Sequence, residues 1–277
     1  LKMDFLGLQN LTVIKKTVDM IRENHGVDID VRRLPLDDPD PYRVLGRGET
    51  MGIFQFESAG MQKLLRKAKP DKFEDIIALL ALYRPGPLGS GMDKVYVECK
   101  HGEREIEYPH AMCEGELAET YGVILYQEQV MRLANKLASF SLMEGDTLRS
   151  AMGKKDLVKM MKFKPKFIQG SKHNGVDEES AVRIWDLMEK FGEYGFNKSH
   201  STAYAYVSYQ TAYLKVHYPH EFMAALMTCD IRNKDKIAIF REECRRLGIP
   251  VLPPHVNESN FDFRVIKNSI RYGLGGA

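Results

Sequence analysis

Ala181-Val182-Arg183-Ile184-Trp185-Asp186-Leu187-Met188-Glu189-Lys190-Phe191 decides how this chain folds. Ala181, Ile184, Trp185, Met188 and Phe191 recur at helical spacing. With 3.6 residues per turn they form one apolar stripe, and the charged residues stay off it. Upstream, Val130, Leu133, Ala134, Leu137 and Phe140 repeat the pattern. Downstream, Ser201 to His217 is a long Tyr- and Ala-rich helix that Pro219 closes.

The same criterion works outward. Leu11, Ile14, Val18 and Ile21 make a helix before Gly26, and Ser58 is placed to cap a helix from Met61 to Lys69. Asp71 and Glu74 stand at capping-box spacing ahead of an apolar helix from Phe73 to Tyr83, which Arg84-Pro85-Gly86-Pro87 stops. A last helix carries Ile237, Phe240, Cys244 and Leu247, with Gly248 just past its end. Strands are expected at Met3 to Leu8, at Thr50 to Phe56, and around Phe261 and Phe263 after Pro253-Pro254. Asp28 to Pro41 reads as a polar, Pro-containing linker. The expected fold is mainly α (α+β): a helical body with short strands at both ends. These stripes are core, and the Met and Tyr content does not make a cofactor box.

The 277 residues are enough for one large or two smaller cores. With 44% hydrophobic and 28% charged residues the composition is that of a globular protein, and no apolar run nears the roughly 20 residues that cross a bilayer. No membrane partner is expected. The opening Leu1-Lys2-Met3-Asp4-Phe5 lacks an initiator Met and the features of a signal peptide, and Tyr272 to Ala277 stops in mid-phrase. An excised segment of a longer chain is expected. Cys99, Cys113, Cys229 and Cys244 are far apart, without CxxC spacing, and read as free thiols. His217 and His220 are separated by the helix-breaking Pro219 and are assigned no metal. A net charge of +2 says little, but Arg149 to Lys172 holds eight cations (149, 154, 155, 159, 162, 164, 166, 172) against Asp156 alone. Such a block is a solvated face or a polyanion site.

Three strings can carry chemistry. In Lys2-Met3-Asp4-Phe5-Leu6-Gly7, strand alternation puts Lys2 and Asp4 on one face, about 7 Å apart. That is a salt bridge, or a magnesium-binding carboxylate beside a phosphate-holding ammonium. In Leu148-Arg149-Ser150-Ala151-Met152-Gly153-Lys154-Lys155, Arg149 offers a planar fork for phosphate oxygens. The glycine spacing is not that of a Walker loop, and a solvated loop fits equally. In Tyr194-Gly195-Phe196-Asn197-Lys198-Ser199-His200, aromatics, an amide, a cation and an imidazole crowd a helix start. This suits anions and base stacking, or is a well-capped helix with a core histidine.

These strings occur in register with Gly52-Ile53-Phe54-Gln55-Phe56-Glu57-Ser58, with Ala81-Leu82-Tyr83-Arg84-Pro85-Gly86-Pro87-Leu88, and with Thr120 to Met131. In that order they resemble the C-family replicative DNA polymerases, the alpha subunit of bacterial DNA polymerase III. The resemblance runs over essentially the whole chain, through Leu252-Pro253-Pro254 and Asn257. It implies the end of a nucleotidyltransferase-type palm (1–35), a fingers domain (36–250) and the start of a duplex-binding region (251–277). It implies Asp4 as the third of three metal-binding aspartates, catalytic through Mg²⁺, and Lys2 as a triphosphate contact. The upstream Asp-x-Asp pair of the family is not in this chain. Asp28-Ile29-Asp30 mimics it but follows Asp4 instead of preceding it. Arg149 matches a triphosphate-binding arginine of the fingers, with Lys154 and Lys155 beside it. Ser150 stands where some members have a second arginine. Tyr83, Arg84, Asn197, Lys198 and His200 match fingers motifs near the nascent base pair. Pro109 to Leu117 looks shortened.

The partners so implied are primer–template DNA and deoxynucleoside triphosphates, with other replisome subunits meeting parts of the parent outside this segment. The implied location is the bacterial cytoplasm. The parent is expected to be a DNA-directed DNA polymerase, and this segment alone to be inactive. The rival is a non-catalytic helical module that binds nucleic acid or a replication protein.

Overall fold

The computed structural model describes residues 7–154, 156–192 and 195–276. The expected strand from Met3 to Leu8 falls largely outside them, as do Lys2, Asp4 and Lys155. The helices run, in chain order, α1 Gln9–His25, α2 Pro39–Arg47, α3 Ala59–Ala68, α4 Phe73–Leu82, α5 Pro85–Gly89, α6 Met92–Lys100 and α7 Glu114–Leu117. They continue with α8 Gln127–Ala138, α9 Leu142–Gly153, α10 Leu157–His173, α11 Glu178–Gly192, α12 Lys198–His217, α13 Pro219–Cys229 and α14 Lys234–Arg246. The strands β1 Val251–Leu252, β2 Arg264–Ile266 and β3 Ser269–Arg271 form one small sheet. The protein is therefore mainly helical with short strands. It divides into two compact units, residues 1–73 with 205–277, and residues 74–204.

In the first unit, Val13, Ile14 and Ile21 of α1 share a core with Phe222 to Met227 of α13 and with Ile237, Phe240 and Cys244 of α14. Gly248 ends the last helix at φ 73°, the left-handed conformation that suits a glycine past a helix end. In the sheet, β3 lies between parallel β1 and antiparallel β2, with Val251 and Val265 both opposite Ile270. Phe263 is buried just before β2, whereas Phe261 is exposed, so the alternation expected around these two phenylalanines begins later, at Arg264.

Thr50 to Phe56 is a pair of turns instead of a strand. Ile53 N–H donates to Thr50 O and Phe56 N–H to Ile53 O, both at 3.0 Å, and the Thr50 hydroxyl closes the loop onto Phe56 O at 2.5 Å. Gln55 has φ 65°, and a Cβ on Gly52 would stand 2.4 Å from Leu226 Cδ1. Gly52 itself has φ 82°, and extended backbone excludes the positive φ of both residues. Buried Lys215 locks this loop by donating to Glu49 O (2.8 Å) and Met51 O (2.7 Å) while paired with Glu243 at 2.6 Å. Burial holds the Lys215 ammonium below the usual lysine range despite Glu243. The linker expected from Asp28 to Pro41 contains a 3-10 turn at Val31–Arg33 and the start of α2, whose cap Asp38 accepts from Asp40 N–H and pairs with His217 at 2.6 Å. Arg22 pairs with Asp28 and Arg32 with Asp30, so both carboxylates of the Asp28-Ile29-Asp30 string have local arginine partners. Pro219 both ends α12 and opens α13 at a first-turn position where its missing N–H costs nothing.

In the second unit, α8, α9, α10 and α11 enclose a core of Val130, Leu133, Leu137, Phe140, Leu148, Phe167, Trp185 and Met188 with their neighbours. Ala151 and Met152, in the string for which a solvated loop fitted equally, lie in the last turn of α9. The basic block continues as helix α10, where Met160 and Phe167 are buried and Phe163 packs between them. Cys113 and Leu117, in the segment that looked shortened, are buried in the same core. In this unit Asp75 of α4 accepts from Lys100 Nζ (2.8 Å) and from Tyr96 OH (3.0 Å) of α6, a buried ion pair fixing α6 to α4. The four cysteines are free thiols, and burial pushes Cys113 up to about 11 and Cys244 up to about 12. No described helix is long and apolar enough to cross a membrane.

Candidate functional site

The site grows from the start of α8. Tyr126 pairs with Phe196 in a parallel β-bridge, and Gln127 N–H donates to Phe196 O at 2.8 Å. A chain segment some seventy residues downstream is thus held on the first turn of α8. Gln129 turns back to fix that turn, its Oε1 accepting from Leu125 N–H (2.7 Å) and Tyr126 N–H (2.9 Å). Its amide nitrogen donates to Glu116 O and to the Thr120 hydroxyl.

Gln127 uses its side chain as well. Its Nε2 donates to Gly195 O at 3.0 Å, and its Oε1 accepts from Arg149 Nη1 at 3.0 Å. Arg149 projects from α9, with Nε donating to Asp146 Oδ1 at 3.0 Å. The guanidinium is thereby held between its own helix and α8, about one-third exposed, with donors of its terminal nitrogens still available.

Next to this lies an aromatic row. Arg84 stands over the Phe196 ring with Cζ 3.9 Å from its centroid. Phe196 meets His200 edge-on at 5.6 Å, and His200 lies 4.3 Å from Tyr204. Arg84, Phe196 and His200 are thus in continuous contact, and Gln127 ties that row to Arg149. One face of Phe196, read from sequence as a surface for a base, carries a guanidinium. Tyr83 is half-buried at the end of α4.

Two residues of the same string serve the helix start. Asn197 Oδ1 accepts from His200 N–H at 2.9 Å and caps α12. Lys198 Nζ pairs with Glu119 Oε2 at 2.6 Å and sits 5.3 Å from the Tyr126 ring centroid, while its backbone N–H donates to Glu128 Oε2 at 2.9 Å. Glu119 thus meets the Lys198 ammonium, and Glu128 its backbone N–H. Among the described residues the Tyr126 hydroxyl and Glu119 Oε1 are buried without a hydrogen-bond partner. Burial, with the charges of Glu119 and Glu128, pushes the Tyr126 phenol well above its usual range.

Lys154 is exposed at the end of α9, and nothing described ties it to Arg84, Phe196 or Arg149. The rest of the basic block is largely paired: Lys159 with Asp156, Lys164 with Asp186, Lys166 with Glu144 and Lys172 with Glu178. Glu144, bonded to Lys166 and to the Ser141 cap, falls to about 2. Gln127 and Glu119 were not among the expected site residues. Gln127 lay in plain view in Tyr126-Gln127-Glu128-Gln129, but its partners are 22 and 68 positions away.

Comparison with known proteins matches the chain to one family. The profile of the bacterial DNA polymerase III alpha subunit finger domain matches residues 10–175. Over 275 residues the chain is 50% identical to DNA polymerase III subunit alpha of Aquifex aeolicus, covering 99% of this chain and 24% of that protein. Against the same subunit of Thermus aquaticus it is 50% identical over 279 residues, covering 99% and 23%. Against that of Haemophilus influenzae it is 50% identical over 285 residues, covering 99% and 24%. The chain spans about a quarter of the length of the curated relatives it matches.

Proposed function

The chain belongs to the bacterial DNA polymerase III alpha-subunit finger-domain family, and from that premise we propose that it is the nucleotide-gripping part of a replicative DNA-directed DNA polymerase. Residues 1–35 complete the palm, 36–250 are the fingers and 251–277 lead into the duplex-binding region. The parent reaction is attack of a primer 3′-hydroxyl on the α-phosphate of a deoxynucleoside triphosphate paired with a template base. Asp4, with carboxylates contributed from outside this chain, would hold magnesium, which would supply charge neutralisation at the reacting phosphate.

The described residues act on the nucleotide. Arg149 is the observation that carries the reading. It is a guanidinium held in place from two sides, with one donor on each terminal nitrogen left for a triphosphate, the preorganised electrostatics that phosphoryl transfer needs. Arg84, stacked on Phe196, offers a second oriented cation, and His200 extends the aromatic row. Lys154 and Lys155 add positive charge past the end of α9, and Lys2 grips phosphate from the palm side. Asn197 and Lys198 shape the start of α12, on which that row is built. Primer–template DNA is the macromolecular partner, and other replisome subunits join the parent elsewhere.

The test is primer extension by the full-length polymerase. Arg149→Ala removes a charge-assisted contact of roughly 1.5–3 kcal/mol, so kcat/KM for nucleotide should fall about ten- to a hundred-fold, while primer–template affinity stays near normal. The isolated 277-residue chain should give no extension above background. A normal nucleotide response in the Arg149 variant would place the triphosphate elsewhere. Robust extension by the isolated chain would favour a self-sufficient enzyme.

A further inference from the structure

We propose that Gln127 is a positioning residue for nucleotide binding: it acts through Arg149, holding that guanidinium in register with the loop that bears Phe196. The inference rests on the reading of Arg149 given above. Its basis is the set of bonds Gln127 makes. Its N–H donates to Phe196 O at 2.8 Å, its Nε2 to Gly195 O at 3.0 Å, and its Oε1 accepts from Arg149 Nη1 at 3.0 Å. Three segments distant in sequence therefore meet at one amide.

An amide is suited to this place because it must donate on one side and accept on the other. A glutamate could accept from Arg149 but would set a carboxylate against the Gly195 carbonyl. It would also add negative charge to a guanidinium meant for phosphate. A methionine would fill similar volume and make neither bond.

Arg149 needs the second anchor. Its other acceptor, Asp146, is three residues away on the same helix and more than half exposed. Such an i,i+3 pair leaves a long side chain free to lie along α9 or swing into solvent. The bond to Gln127 crosses from α9 to α8, and Gln127 is itself fixed through its backbone. The guanidinium is thus tied through Gln127 to the Gly195–Phe196 segment, on whose Phe196 ring Arg84 stacks, with its orientation set before a nucleotide arrives. Losing that bond should weaken nucleotide binding without removing the cation that makes it.

The experiment uses the full-length polymerase and single-nucleotide incorporation, comparing Gln127→Met, Gln127→Glu, Arg149→Ala and the double variant Gln127→Met/Arg149→Ala. Gln127→Met should raise KM for the nucleotide about ten-fold, the loss of one bond to a charged group, with a smaller change in kcat. Primer–template affinity and thermal unfolding should stay near the parent values. Gln127→Glu should raise KM at least as much, through charge. The double variant should be no worse than Arg149→Ala alone, because Gln127 acts through that side chain. Multiplying defects in the double variant, or a loss confined to kcat, would overturn the inference and leave the Arg149 reading standing. So would a normal KM in both Gln127 variants. If Gln127→Met unfolds, the Gln127→Glu variant carries the same comparison, and an unchanged KM there overturns the inference. A normal Arg149→Ala variant would overturn the nucleotide reading itself, and this inference with it.

Discussion

Tyr126 carries a phenol that is buried beside Glu119, Glu128 and the Lys198 ammonium, yet makes no hydrogen bond among the described residues. A buried donor left unmade costs about 1–3 kcal/mol, while the ring itself packs at the first turn of α8. Tyr126→Phe keeps the ring and removes the orphan hydroxyl, so it should leave the chain as stable or raise its stability by about 1 kcal/mol. Chemical denaturation measures this, and a clear loss of stability would mean that the hydroxyl has a partner. Glu119 is different, since its other oxygen pairs with Lys198. At this scale the sequence was legible by type but not by partner. The string from Tyr194 to His200 declared itself as a helix start with aromatics and a cation. That Phe196 would lie beneath Arg84, and that Lys198 would meet Glu119, depended on pairings across 112 and 79 positions, which no local pattern encodes.

Among the elements, the stripes at Val130 to Phe140 and Ala181 to Phe191 fold as the helical period requires, because every core position in them is apolar. Helix α10 was hidden for a physical reason. Its buried face is thin, Met160, Phe163 and Phe167, while six of its residues are Lys or His and Pro165 interrupts it. Proline also concealed α13, where Pro219 starts one helix as it stops another. Thr50 to Phe56 misled because its apolar and aromatic residues have strand character, whereas their burial is achieved by turns locked onto Lys215. The crossing of α8 and α10 gives this scale its prediction. A Cβ on Gly170 would lie 2.5 Å from Ala138 O and 3.0 Å from its carbonyl carbon, both backbone atoms that cannot rotate away. Gly170→Ala gains up to about 1 kcal/mol of helix propensity but forces the helices apart at about 1–3 kcal/mol. We expect net destabilisation in the same denaturation measurement. A gain would show that the helices can part at no cost.

For the molecule as a whole the charge pattern needs the most revision. The eight cations from Arg149 to Lys172 stand out in sequence because the acids that answer them lie elsewhere: Glu144 and Asp146 before the block, Glu178 and Asp186 after it. Folding brings these together, so the block is less positive in space than along the chain. Among the described residues Lys154 and Lys162 are exposed and form no salt bridge, and such cations can meet phosphates without first giving up a carboxylate. Weak, sequence-independent binding of primer–template DNA is therefore expected of the isolated chain, falling as salt rises. Fluorescence anisotropy at low and moderate salt measures it. Lys154→Ala with Lys155→Ala should lower the affinity and reduce the log–log salt slope by about 1–2, near 0.9 for each phosphate no longer neutralised. Binding that is absent at low salt, or untouched by the double substitution, would mean that these lysines face solvent alone. The triphosphate reading of Arg149 would survive that result, since Gln127 and Asp146 hold the guanidinium in place without them.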